Sequence, residues 1–281
     1  MENSIIKQYI EERLARLRQD YARNLELVCQ SFDNEAIHDL RVSMRRIQAL
    51  SSYIDEICSE NVSLGLTEEL KLRIKRFNKL RDVQVQIDFL IKNLNKFTET
   101  IDFLFYLKKR EKKQVKKLKS IIQLPDFSLN GDLFFYHLKI QKLACLTSLD
   151  KKIIAENALS SLNEVKRATD EIIKGDFRTY HKVRLKIKKF RYIIETIEKI
   201  IDSPKDKLKE IQALQTILGE IQDFSVLLTM IEQFCIKKNI ELTNFVNFMK
   251  FITQKRTVKE QEFWKNINVI DFWDNFLITF L

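Results

Sequence analysis

The sequence predicts an all-α fold, and three observations carry that prediction. Glycine and proline are scarce: four glycines and two prolines stand in 281 residues, against a usual share of about 7% and 5%. A β-sandwich or a doubly wound sheet needs more turn residues than that. The glycines are also isolated, at Gly65, Gly131, Gly175 and Gly219, so no glycine-rich loop is available to cradle a nucleotide phosphate. Next, apolar side chains recur three and four residues apart along almost the whole chain, the spacing of one helix face. Finally, 45% apolar and 31% charged residues suffice to fill a core and coat it. The length suits one large domain or two packed halves.

Each element follows from its own residues. Over 4–29, Ile6, Tyr9, Ile10, Leu14, Leu17, Tyr21 and Leu25 fall on one helical stripe. Asp33 or Asn34 suits the N-cap of a helix over 35–58, with Glu35 in its first turn. Helices over 67–93 and 98–123 follow, and Pro125 closes the first half. The stretch 124–132 (LPDFSLNGD) reads as a linker. Helices resume over 133–149 and 152–174, the latter expected to end at Gly175 and Asp176. Ser203-Pro204 breaks a helix over 178–201, and helices over 205–236 and 241–265 come next. The aromatic tail, Phe272, Trp273, Phe276 and Phe280, is expected to dock on a bundle face.

The formal net charge is +10, which suits an anionic partner. A composition rich in lysine, isoleucine and asparagine also arises from AT-rich coding, so only clustered charge is informative. The four cysteines, Cys29, Cys58, Cys145 and Cys235, lie far apart and include no CxxC pair. Neither a disulfide framework nor a zinc ribbon is expected, and a reducing cytoplasm is the simplest setting. The first ten residues mix isoleucines with charges and do not read as a signal peptide. No apolar run approaches the about 20 residues of a membrane span.

The chain repeats itself. Residues 36–54 read AIHDLRVSMRRIQALSSYI and residues 179–197 read TYHKVRLKIKKFRYIIETI. His38 falls on His181, Arg41 on Arg184, Arg45 on Lys188 and Arg46 on Lys189, all at an offset of 143. Residues 81–90 (RDVQVQIDFL) match 222–231 (QDFSVLLTMI) at an offset of 141, which sets Asp82 on Asp223 and Val85 on Val226. A weaker match joins the stretch around Arg110 to that around Arg256. Three matches in the same order point to two related halves divided near residue 130.

The repeated basic helix can do specific chemistry. His38, Arg41 and Arg45 are spaced i, i+3, i+7 and share one helix face. His181, Arg184, Lys188 and Arg191 extend the pattern by a turn. The opposite face, Ile37, Leu40, Met44 and Ile47, or Val183, Ile187 and Ile194, suits a core. Such a face is a ladder of donors. Its like charges repel by a few tenths of a kcal/mol per i, i+4 pair, and a bound anion relieves that repulsion. Arginine adds a planar fork matched to phosphate oxygens. The run over 106–119, with eight cations and one acid, reads by contrast as a solvated face. His137 lies outside the repeat. Asp82 and Asp223 are expected to cap a helix or to hold a site arginine through an ion pair, and Glu195 to orient Arg191.

Other functions compete. A nucleic-acid binder would use the basic helices, but aromatic stacking residues are not expected to interleave them on the exposed face. A helical scaffold with a basic face would bind an acidic protein. A metal-dependent phosphohydrolase built on His38-Asp39 lacks converging ligands, since Asp39 is matched by Lys182. Metal chelation by the histidines is opposed by the neighbouring cations. No nucleophile–base pair stands out, so a binding module is expected rather than an enzyme, with no cofactor.

HDLRVSMRR followed by HKVRLKIKKFRY, with RDVQV and LGEIQDFSVL downstream of each, resembles the CHAD domain family (conserved histidine α-helical domain). The resemblance spans about 5–270 and fits a stand-alone member, 1–281, with halves at 1–125 and 132–281. It implies two antiparallel four-helix bundles related by an internal pseudo-twofold axis. It also implies a basic channel between them that binds inorganic polyphosphate, in the cytoplasm and in association with polyphosphate granules. The positions matching the family's binding residues are His38, Arg41, Arg45 and Arg46, then His181, Arg184, Lys188, Lys189 and Arg191, with Arg110 and Arg256 as weaker matches. The sequence departs from the pattern at Gln48, where a basic residue is usual, and in the first half at Asn78-Lys79, which stand in place of the family's LG before RD. A less basic first half is the expected consequence.

Overall fold

The computed structural model describes residues 2–63, 65–124 and 127–281, with residues 2–4 by backbone only. All regular structure among them is helical. Helices α1 (Glu2–Ser31), α2 (Asn34–Cys58), α3 (Leu66–Asn93) and α4 (Ile101–Ile122) precede the linker. Helix α5 (Asn130–Lys142) follows it, then α6 (Lys151–Asp170), α7 (Phe177–Ile197), α8 (Lys205–Lys238), α9 (Val246–Asn266) and α10 (Val269–Ile278). Short connections make successive helices pack side by side: α1 on α2, α2 on α3, α3 on α4, then α6 on α7, α7 on α8 and α8 on α9. The two sets meet through corresponding helices, α2 against α7 and α3 against α8.

Local chemistry explains the boundaries. The Asp33 carboxylate accepts from the Ala36 amide at 2.8 Å and starts α2, and Asp150 accepts from Ile153 at 2.8 Å and starts α6. Ser59 and Asn239, at φ 52 and 53, end α2 and α8 in the left-handed region. Three expectations need correction. The helix expected over 133–149 stops at Lys142, because Leu143 is extended and a 3-10 turn over Ala144–Thr147 follows. That turn buries Leu146. The linker is shorter than 124–132, since α5 already starts at Asn130; Pro125 lies outside the described residues. Gly175 and Asp176 do not end α6, which stops at Asp170. Gly175 instead turns the chain at φ 86, and Asp176 caps α7 by accepting from the Arg178 amide at 3.0 Å. The aromatic tail docks as expected: α10 lies on α6 and α8, with Trp273 fully buried.

A further correction concerns the cysteines. Cys58, at the end of α2, and Cys145, in the turn after α5, form a disulfide across 87 residues of sequence. Cys29 and Cys235 are free. Spacing along the chain reveals local pairs such as CxxC, whereas this pair is brought together because α2 and the 3-10 turn over Ala144–Thr147 both pack on α1.

The apolar interior falls into two clusters, and each draws on both sides of the linker. The larger lies under α1, α2, α5, α6, α7 and α10 and takes in α3 up to Leu80 and α8 up to Ile221. The smaller, rich in phenylalanine, resumes at Val83 of α3 and Leu227 of α8 and includes Phe97, Phe103, Phe234, Phe245 and Phe248. Between Leu80 and Val83 stand Arg81 and Asp82; after Ile221 come Gln222 and Asp223, before Phe224 rejoins the smaller cluster. A polar layer thus crosses the molecule at the seam of its two cores.

Candidate functional site

That seam is where the basic helices converge. On α2 the apolar stripe Ile37, Leu40, Met44 and Ile47 is fully buried, which turns Arg41 and Arg45 toward α3 and α7. On α7, Val183, Ile187 and Phe190 do the same and leave Arg184, Lys188 and Arg191 toward the seam. Arg41 is itself buried. Asn78 of α3 holds it: the Asn78 Oδ1 accepts from Arg41 Nε at 3.3 Å and Nη2 at 2.8 Å, and from Arg45 Nη2 at 3.0 Å. Arg191 donates to Gln215 Oε1 at 2.8 Å and to Glu195, and its guanidinium lies 4.4 Å from the centre of the Tyr192 ring. Glu195 therefore orients Arg191, as the sequence suggested.

The electrostatics show how crowded the cations are. Burial, with Arg45, Arg184, Arg41 and Arg191 around it, holds Lys188 down to about 7. Burial and the nearby Arg45 and Arg81 push Arg41 down to about 10. His38 is lowered by partial desolvation and by Arg81 and Arg41. Two carboxylates face this set. Burial raises Asp223 to about 6 against the pull of Arg184. Asp82 is exposed as a residue, yet the helices crowded round its carboxyl raise it despite Arg41, Arg184 and Arg45. Neither aspartate plays the expected part. Both sit in helix interiors and so cannot cap, and among the described residues neither forms an ion pair within 4.0 Å. Their influence on the arginines is through space.

A cleft of about 410 Å³ opens between α2 and α7, lined by Arg45, Gln48, Ser52, Lys188, Lys189 and Tyr192 among others. His38 is exposed and His181 half-buried, with its Nδ1 shielded and unpartnered. Both histidines stay out of the apolar clusters. Lys189 reaches the cleft but is neutralised by Glu56 at 3.2 Å and Glu164 at 3.9 Å. Arg46 turns away into a separate groove, which it lines with Arg13, Arg16, Asp20, Glu195 and Glu198. Arg110 lies over Tyr106 on α4, and Arg256 pairs with Glu260 at 3.5 Å on α9. No hydrogen bond or ion pair ties either to the α2–α7 cluster among the described residues. Two residues escaped sequence reading. Arg81 has no basic counterpart, since Gln222 occupies its matching place, and Asn78 looked only like a lost glycine. Among the described residues no three His, Cys, Asp or Glu side chains converge as metal ligands, and no helix is long and apolar enough to cross a membrane.

The CHAD domain family profile matches residues 12–232. Two solved structures are similar in fold. One is the crystal structure of the CHAD domain from the plant Ricinus communis, with a TM-score of 0.68 and 15% identity over 97% of this chain and 91% of that one. The other is PptA from Streptomyces chartreusis, with a TM-score of 0.62 and 15% identity over 95% of this chain and 98% of that one. No curated protein matches the chain.

Proposed function

The chain belongs to the CHAD domain family, and we propose that it binds inorganic polyphosphate in the cleft between α2 and α7, as a binding or targeting module without catalysis. The observation that supports this most is the gathering of Arg41, Arg45, Arg81, Arg184, Lys188 and Arg191 near Asp82 and Asp223, with Lys188 held down to about 7 by burial and, after that, by its cationic neighbours. Lys188 has no ion-pair partner among the described residues, and a bound polyanion would supply the missing counter-charge. Polyphosphate is a flexible thread with about one negative charge per phosphate. Charge-assisted hydrogen bonds contribute about 1.5–3 kcal/mol each, so a few suffice for micromolar affinity, about −8 kcal/mol. Counterion release makes the binding salt-sensitive. A rigid duplex does not thread between two packed helices, which disfavours DNA as the ligand. Residence in the cytoplasm at polyphosphate granules belongs to the same proposal.

The test is a titration with polyphosphate of defined lengths, beside ATP, pyrophosphate and duplex DNA. Tight, salt-sensitive binding of the longer chains and poor displacement by DNA support the reading. Equal affinity for duplex DNA would move it to the nucleic-acid class.

A further inference from the structure

Arg41 and Arg184 hold matching places in the repeat, at the offset of 143, and Asn78 and Gly219 do so at the offset of 141. In the first half the arginine meets an acceptor, since Asn78 Oδ1 takes Arg41 Nε and Nη2 as well as Arg45 Nη2. In the second half glycine offers no side chain. A Cβ placed on Gly219 lies 4.0 Å from Arg184 Nε, with nothing nearer, so a side chain can start there without a clash and beside that guanidinium. Arg184 Nε is shielded from solvent and has no hydrogen-bond partner, and the same holds for Arg45 Nε, whereas Arg41 Nε, the counterpart of Arg184, reaches Asn78. A shielded donor without an acceptor is costly. Lys188, one turn further on α7, forms no ion pair among the described residues and lies near Arg184 and Arg45.

We propose that the two halves are unequal: Arg184, with Lys188 of the cleft lining beside it, forms the primary phosphoryl seat at the α2–α7 seam, while Asn78 holds Arg41, and the Nη2 of Arg45, as a preset cationic wall that is engaged second. The inference rests on the polyphosphate reading and specifies where the first phosphoryl group lodges. At Arg184 an oxyanion takes a free donor, with the Lys188 ammonium beside it as a point charge. At Arg41 the same oxyanion competes with a carboxamide already in place. Gly219 is the position that sets the difference.

Two measurements on the full chain test it. In calorimetric titration with tripolyphosphate and longer chains, G219N supplies Arg184 with a protein acceptor and weakens binding about three- to tenfold. R184Q weakens it at least about threefold more than R41Q does. Asparagine is no worse than glycine inside a helix, so G219N keeps its fold, which circular dichroism checks. The second measurement needs no ligand: by NMR of the arginine Nε–H groups, Arg41 exchanges with solvent more slowly than Arg184. Unchanged affinity in G219N with equal losses in R41Q and R184Q overturns the unequal seats, as does equal exchange at the two arginines. Unequal exchange in a protein that binds no polyphosphate overturns the polyphosphate reading, and the seat with it.

Discussion

Lys188 is the residue on which stability and binding pull in opposite directions. In the fold it titrates at about 7, against an ordinary value of 10.5, so its charge is a burden that only the folded state carries. That burden is complete below about 7 and fades as the pH rises toward 10.5, where unfolded lysine also loses its proton. Lys188→Met is accordingly expected to raise the melting temperature, by more at pH 6 than at pH 9, while weakening polyphosphate binding; thermal melts and titrations on the same variant check both. The pH dependence of binding has the same origin. A bound polyanion favours the protonated forms of Lys188 and His38, both lowered in the free protein, and protonation of Asp223, raised to about 6, removes a repelling charge. All three act in one direction, so affinity is expected to rise from pH 8 to pH 6. A flat profile would remove these groups from the contact set.

Between elements, Asn78 is the tie that matters most at the site. Its carbonyl oxygen accepts three hydrogen bonds from two guanidinium groups and so fastens α2 to α3. Asn78→Ala leaves the buried Arg41 without that acceptor and is expected to lower stability by about 2 kcal/mol, read by urea denaturation; a loss within error would show that Arg41 finds another partner. The helices themselves were legible in the sequence because their apolar stripes are long and regular: Ile37, Leu40, Met44 and Ile47 are all fully buried, as are Val183 and Ile187. What periodicity does not report is where a helix yields to a turn. Leu143, the run after Asp170 and the starts of α4 and α9 were read through as helix, because 3-10 and turn segments keep a similar apolar spacing. At the site, His38, Arg41, Arg45, Arg184, Lys188 and Arg191 were legible from the repeat. The pairing of Lys189 with Glu56 was not, because it joins residues 133 apart across the α2–α7 contact. Nor was the turn of Arg46 into another groove, since neighbouring residues on a helix point about 100° apart.

At the scale of the whole molecule, the halves are not two cores side by side. Both apolar clusters take residues from each side of the linker, so the chain is expected to unfold as one cooperative unit instead of half by half. The Cys58–Cys145 bond closes 87 residues of chain, and such a cross-link typically contributes about 2–4 kcal/mol. Reduction is expected to lower the melting temperature without removing polyphosphate binding, because neither cysteine lines the cleft. The same bond bears on location. Disulfides are rare in a reducing cytoplasm, so counting free thiols in protein taken directly from cells decides the matter: two free thiols, Cys29 and Cys235, mean an oxidising setting, and four mean the cytoplasm.

The central claim is that cations from α2 and α7 act together on one phosphate thread. It is tested most directly by titrating polyphosphate of defined length into the native chain and into a folded variant carrying Arg45→Glu, Arg184→Glu and Lys188→Glu. Micromolar or tighter binding by the native chain, reduced at least about a hundredfold in the variant, is the expected result. Retention of polyphosphate by the variant at native strength would contradict the account.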